Sequence, residues 1–169
     1  DAKSHPSHYA LEQIMEWDKK AHEGKLAVFK NLGNDFANAL QEGYFTLIRN
    51  DRVDEKNFYH LKRITGLAVS EETVNRALEQ RIRDMNIAEY NFRKVEEATR
   101  IKPKIDEKVV QGVYTRCLGK DKNGNELLYY WEYLFKATKI KPEEKTAQKA
   151  FRKMVGQGHI YDVIRYSES

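Results

Sequence analysis

From Tyr9 onward the apolar residues fall three and four positions apart, the spacing that gives an α-helix one apolar face. Leu11, Ile14, Met15 and Trp17 form the first such stripe, and Gly24 stops it. A second helix is predicted from about Leu26, interrupted at Gly33-Asn34. Asp35 to Arg49 then carries Phe36, Leu40, Tyr44, Leu47 and Ile48 on one face, before Asn50-Asp51 breaks the chain. Asp54 is suited to cap a helix that buries Phe58, Leu61 and Ile64 and ends at Gly66. Ser70 caps a stripe of Val74, Ala77, Leu78 and Ile82. Asn86, with Glu89 three residues later, is a capping pattern for a helix carrying Ile87, Tyr90, Phe92 and Val95. Pro103 marks a boundary, after which Val109, Val110, Val113, Tyr114, Cys117 and Leu118 form the next stripe, closed by Gly119. A polar loop, Lys120 to Asn125, leads to an aromatic helix predicted over Glu126 to Lys139. Pro142 is predicted in the first turn of the last clear helix, whose stripe is Ala147, Ala150, Phe151 and Met154. Gly156 and Gly158 end it, leaving a tail with Tyr161, Val163, Ile164 and Tyr166.

The helix starts recur. They fall near Asp35, Ser70, Asp106 and Lys141, a phase of about 35 residues with a second helix inside each interval. One helix pair cannot bury its apolar face alone, so repeated pairs stack. The expected fold is therefore all-α, an α-solenoid of stacked helix pairs of pentatricopeptide or tetratricopeptide type, with an irregular helical bundle as the alternative. Residues 1–8 are expected to be a flexible N-terminal tail, and residues 9–169 a single helical-repeat domain.

Composition agrees with helix: three prolines and nine glycines in 169 residues leave little turn material for a sandwich or barrel. The net charge of +4 comes from 30 bases interleaved with 26 acids, which does not by itself imply nucleic acid. A lone cysteine, Cys117, excludes an intramolecular disulfide, and its place on an apolar stripe makes it a core thiol. No apolar run reaches the roughly 18–20 residues of a membrane span. The sequence opens at Asp1 without a signal-like stretch. The expectation is a mature chain whose targeting peptide has been removed, an arbitrary starting point being the alternative.

Candidate chemistry is sparse. Asp121, Asn123, Asn125 and Glu132 stand at positions one, three, five and twelve of an EF-hand loop, but Glu126 occupies the sixth position, where the turn needs glycine. An Asn123-Gly124 turn followed by a helix cap at Asn125 is the preferred reading. His5 and His8 lack acidic or cysteine partners, so no metal site is expected. No glycine-rich phosphate loop occurs, and His22, His60 and His159 have no nucleophile beside them. Glu71-Glu72 and Glu96-Glu97 are expected to be solvated helix faces. No catalytic residue and no cofactor is assigned. The run from Tyr129 to Phe135 is different, because its rings point in nearly every direction on one helix. Trp131, Leu134 and Phe135 are the expected core set. Tyr129, Tyr130 and Tyr133 are the expected partner-binding set, since aromatics left at a surface anchor protein interfaces.

Two stretches carry a resemblance to known families. Phe151-Arg152-Lys153-Met154-Val155-Gly156-Gln157-Gly158, followed by Asp162-Val163 and Tyr166, resembles the pentatricopeptide pattern, in which Phe and Met end one helix, Gly turns, and Asp-Val-x-x-Tyr opens the next. Ser70 to Leu118, with Val74, Ala77-Leu78, Asp84, Ile87-Ala88, Phe92, Glu96, Lys104 and Val110, is similar to the helical-repeat core of cytochrome c oxidase subunit Va. Leu40-Gln41-Glu42-Gly43 through Asp54-Glu55 extends that similarity. Both imply mitochondria. In size and in its pentatricopeptide-like terminus the chain also resembles the extra eighteen-kilodalton subunit of the euglenozoan mitochondrial ATP synthase. That resemblance implies a non-catalytic accessory subunit in the matrix, peripheral to the inner membrane, set against the alpha subunits of the catalytic head. Subunit Va of the oxidase is the first rival. An RNA-binding pentatricopeptide protein is the second, disfavoured because Lys56, Lys62, Arg63, Arg76, Arg81 and Arg83 alternate with acids and a few repeats would read only a few bases.

Overall fold

Apolar stripes at helical spacing become seven helices in the computed structural model, which describes residues 33–158. They are α1 (Gly33–Arg49), α2 (Glu55–Thr65), α3 (Glu71–Arg83), α4 (Glu89–Thr99), α5 (Glu107–Arg116), α6 (Tyr130–Thr138) and α7 (Glu144–Gly156). The described residues contain no strand, only an isolated antiparallel bridge between Lys120 and Glu126. The fold is all-α, its helix pairs packed in the manner of an α-solenoid. None of the described helices is long and apolar enough to cross a membrane. The expected N-terminal tail, His5 and His8, the stripes before Gly33 and the tail from His159 lie outside the described residues.

Contacts divide the chain into two compact units, which among the described residues are 33–81 with 90–104, and 82–89 with 105–158. The core of the first unit gathers Leu40, Tyr44 and Ile48 of α1, Phe58, Leu61 and Ile64 of α2, Val74, Ala77 and Leu78 of α3, and Val95 of α4. The core of the second gathers Val110, Val113, Tyr114 and Cys117 around α5, Trp131 and Leu134 of α6, and Ala150 and Met154 of α7. Each fully buried large aliphatic or aromatic side chain in these sets contributes roughly 1.5–3 kcal/mol relative to exposure. Within each unit an α-helical tyrosine meets a ring of the following helix edge-on: Tyr44 with Phe58 at 5.1 Å, and Tyr114 with Trp131 at 5.0 Å.

The helix starts follow local chemistry. Asp54 accepts from the Lys56 and Asn57 amides at the head of α2, Ser70 Oγ accepts from the Thr73 amide at the head of α3, and Asp106 accepts from the Lys108 amide at the head of α5. The helix ends follow one device used three times. Thr65, Thr99 and Thr138 each donate a hydroxyl bond to the carbonyl four residues back, at 2.6, 2.7 and 2.8 Å. Each hydroxyl then accepts from the amide two residues ahead, on Leu67, Ile101 and Ile140. Between them stands a left-handed residue: Gly66 at φ 72°, Arg100 at 59° and Lys139 at 58°. A threonine at this position ends the second helix of a pair and aims the chain toward the next.

A second device ties successive helices. The Gln41 amide on α1 donates to the Ala68 carbonyl and accepts from the Ser70 amide, both in the segment leading into α3. Asn75 on α3 accepts from the Lys104 amide. In the other unit Gln111 on α5 donates to the Lys141 carbonyl and accepts from the Glu143 amide, in the segment leading into α7. Three residues beyond each glutamine a tyrosine hydroxyl bonds the same segment: Tyr44 to the Leu67 carbonyl and Tyr114 to the Ile140 carbonyl. A cation closes the other end. Arg81 donates to the Ile48 and Arg49 carbonyls, Arg116 to that of Arg83, and Lys153 to that of Leu118, so each reaches the carbonyl end of a helix about one repeat earlier.

Several sequence expectations are corrected. The aromatic helix begins at Tyr130, not Glu126, because Asp121 and Glu126 bind loop and neighbouring-helix donors instead of opening a helix. The helix expected from Asn86 begins at Glu89, since the Ile87 amide is taken by the Tyr130 hydroxyl at 3.1 Å. Tyr90 turns outward, its hydroxyl on Asp51, and the buried polar residue of α4 is Asn91, whose amide also reaches Asp51. Pro142 precedes the cap residue Glu143 and does not lie in the first turn. Phe151, expected in a core stripe, is 49% exposed.

Lys139 has the geometry of Gly66 without glycine's freedom, and its pairing with Glu89 at 3.6 Å is largely exposed and adds little. Lys139→Gly is expected to raise the stability of the protein by about 0.5–1 kcal/mol, read as a higher midpoint in denaturant. Cys117 is fully buried, and burial pushes its thiol up to about 11, with Arg116 only partly opposing the shift. Below that pH little thiolate is present, so native labelling by a thiol reagent at pH 7–8 should be slow and should accelerate on denaturation; rapid native labelling would contradict the packing of α5.

Candidate partner-binding face

The segment from Lys120 to Lys139 shows how local chemistry sorts an aromatic run. Asp121 nucleates the loop: its carboxylate accepts from the Asn123 and Asn125 amides, both at 2.8 Å, and from the Asn125 side chain at 3.1 Å. Gly124 supplies the positive φ of 80° that the turn requires. These donors, the Asn125 amide foremost, hold the Asp121 carboxyl below its ordinary range.

Glu126 closes the loop against α7. Lys153 lies 2.6 Å from its carboxylate, Gln157 donates at 3.2 Å, and Lys120 stands at 3.7 Å. The Lys153 bond is the main reason this carboxyl lies below its ordinary value. Lys153 also donates to the Leu118 carbonyl, so one ammonium joins the end of α5, the loop and α7.

The positions that match an EF-hand loop are engaged within the protein. Asp121 is occupied by amide donors, Glu126 by an ammonium, and Glu132 lies on α6 paired with Lys136 at 2.9 Å. A calcium ion needs six to eight oxygens converging on one point. Among the described residues no three of His, Cys, Asp and Glu gather as a metal site.

On α6 the rings separate by direction. Trp131 is buried, and its indole N–H donates to the Tyr114 carbonyl at 3.1 Å. Leu134 is buried and Phe135 half-buried. Of the three tyrosines expected at a partner surface, the structure leaves two there. Tyr129 is 60% exposed and Tyr133 51%, four residues apart and hence neighbours on one side of the chain, with Lys136 continuing the stripe. Tyr130 is buried, its hydroxyl accepting from the Ile87 amide and its ring stacked 6.4 Å from Tyr133. It supports the face from behind and does not form it.

Sequence reasoning missed the register of the tying amides. Gln41, Asn75, Gln111 and Gln148 recur at about one repeat, and Tyr44, Leu78, Tyr114 and Phe151 follow each by three residues. A side-chain amide followed three residues later by a large apolar residue was the available signal, Gln-x-x-aromatic in three of the four copies and Asn75-x-x-Leu78 in the other.

Comparison with protein families, curated proteins and solved structures returns no match to this chain.

Lys153→Met is expected to return the Glu126 carboxyl toward its ordinary value of 4.5, measured by following its side-chain carbon resonance against pH. Because the folded value is depressed, the pair's stabilisation is present above 4.5 and is lost as pH falls through the lower folded value. An unshifted titration in the variant would remove Lys153 as the cause.

Proposed function

We propose that this protein is a non-catalytic accessory subunit that works by surface complementarity, helix pairs holding a fixed face against a larger protein. The observation that carries the reading is the outward pair Tyr129 and Tyr133, held on a helix whose opposite side is fixed by the Trp131 and Tyr130 bonds. Two large rings on a rigid support lose little side-chain entropy on binding, which suits them as interface anchors.

The pentatricopeptide-like stretch from Phe151 supports a more specific reading. The partner is the alpha subunit of the mitochondrial ATP synthase catalytic head, and the protein resides in the matrix, peripheral to the inner membrane. This identification rests on resemblance. Cytochrome c oxidase is the alternative complex.

In mitochondrial extracts the protein is expected to sediment with the ATP synthase head after the membrane sector is stripped away. Tyr129→Ala combined with Tyr133→Ala should weaken that association by about tenfold or more while leaving the isolated chain folded, whereas Tyr130→Ala should lower its stability. Sedimentation with cytochrome c oxidase would move the protein to the rival complex. Recovery with RNA that is lost steeply as salt rises would replace the reading altogether.

A further inference from the structure

Asn123 is the one asparagine of the chain that precedes a glycine; every other precedes a residue with a side chain. The pairing matters because a backbone nitrogen can attack the amide carbon of the asparagine side chain just before it. Glycine alone puts no Cβ in the way. The folded loop leaves the asparagine half of this pair open. Asn123 and Gly124 are both exposed, and the Asn123 side-chain amide bonds no described residue, whereas that of Asn125 is held by Asp121 at 3.1 Å. The glycine half is held. The Gly124 N–H donates to the Asp121 carbonyl at 3.0 Å, and the Asp121 N–H donates to the Asn125 carbonyl at 2.9 Å. Attack therefore waits on opening of the loop. Backbone bonds in an exposed loop open locally, at far less cost than global unfolding. What resists opening stands at the loop's end, where Lys153 and Gln157 grip the Glu126 carboxylate at 2.6 and 3.2 Å.

We propose that Asn123 is a site of spontaneous deamidation, with water as the only co-reactant, and that the grip on Glu126 sets its rate. When the loop opens, the Gly124 nitrogen gives its proton to solvent and bonds to the Asn123 Cγ. The Cγ–Nδ2 bond breaks, and the side-chain nitrogen takes a proton from solvent and leaves as ammonia. The product is a cyclic succinimide. Water then adds to one or other of its carbonyls. Opening at Cγ leaves aspartate with the main chain unchanged. Opening at the former main-chain carbonyl leaves isoaspartate, whose main chain runs through the side chain. No step oxidises or reduces. The two products act differently on the loop. Aspartate keeps both backbone amides where the Asp121 carboxylate accepts them. Isoaspartate lengthens the chain by a methylene between Asp121 and Asn125. The Asn125 amide on the Asp121 carboxylate and the Asp121 amide on the Asn125 carbonyl then no longer form together. The loop lets go of Glu126, and the segment leading to Tyr129 loosens. This site goes beyond the accessory-subunit reading and does not depend on it.

The test is incubation of the folded full chain in mildly alkaline buffer. Peptide mapping reads the amide-to-acid mass change, and an isoaspartyl methyltransferase reads isoaspartate. The expected result is conversion confined to Asn123, with isoaspartate among the products, and slower than in the same chain unfolded in urea. Glu126→Gln keeps the side chain's shape but removes the charge that Lys153 holds, and should speed conversion severalfold with the helical content unchanged. Lys153→Met releases the same grip from the other side and should do likewise. Asn123→Ser should abolish conversion and keep the loop closed, since serine retains the main-chain amide that Asp121 accepts. In the isoaspartate form the Glu126 carboxyl should titrate nearer its ordinary 4.5, and in the aspartate form it should not. A folded chain that keeps Asn123 intact while the unfolded chain converts would overturn the proposal. So would conversion spread evenly over the other asparagines, or Glu126→Gln and Lys153→Met chains that convert no faster than the unaltered one. An isoaspartate form whose Glu126 titrates as before would overturn the link between the modification and the loop.

Discussion

Hydrogen bonds from an amide side chain on one helix to the backbone of the segment leading into a later one hold the helix pairs in register. Gln41, Asn75 and Gln111 all make this bond, over separations of 27 to 32 residues. Their partners are backbone groups in loops, where no helical or sheet bond is on offer and an unmet donor or acceptor would carry a desolvation cost of about 1–3 kcal/mol. Satisfying those groups fixes where the next helix starts. Burial of its stripe follows from that starting point. The apolar contacts supply most of the energy, but they are non-directional, and the amides supply the register.

The threonine corners serve the same end. A second helix that overran by one residue would carry the following segment past the waiting amide. Thr65, Thr99 and Thr138 prevent this by taking the carbonyl four residues back and the amide two ahead, which ends the helix in one orientation. Gly66 adopts the left-handed conformation without strain, while Arg100 and Lys139 hold it against the preference of an L-residue. That two strained copies persist shows how strongly the threonine bonds and the following tie constrain the corner.

The candidate partner face is a by-product of this register. Tyr130 lies inward because the Ile87 amide, lacking a helical acceptor, takes its hydroxyl, and Trp131 lies inward because the Tyr114 carbonyl takes its indole N–H. With those two fixed, helical geometry leaves Tyr133 and the preceding Tyr129 outside. The surface is set by which polar atoms inside the unit need partners as much as by hydrophobicity.

Local chemistry alone determined the helical class, the repeat phase and most of the core. Val74, Ala77, Leu78 and Ile82, or Val110, Val113, Tyr114 and Cys117, are legible because a helical period repeated across a dozen residues admits one buried face. The caps at Asp54 and Ser70 were legible because each bond spans two or three residues. Tertiary structure decided what depended on partners distant in sequence. Glu126 has the composition of a helix start but is drawn to Lys153, which is 27 residues away. Tyr130 differs from Tyr129 and Tyr133 only through an amide 43 residues earlier. Phe151 carries the same stripe signal as Tyr114, yet the two differ in burial because no segment among the described residues covers the cleft beside it. Sequence periodicity specifies which side chains are fit to be buried; whether one is buried depends on what the rest of the fold brings against it.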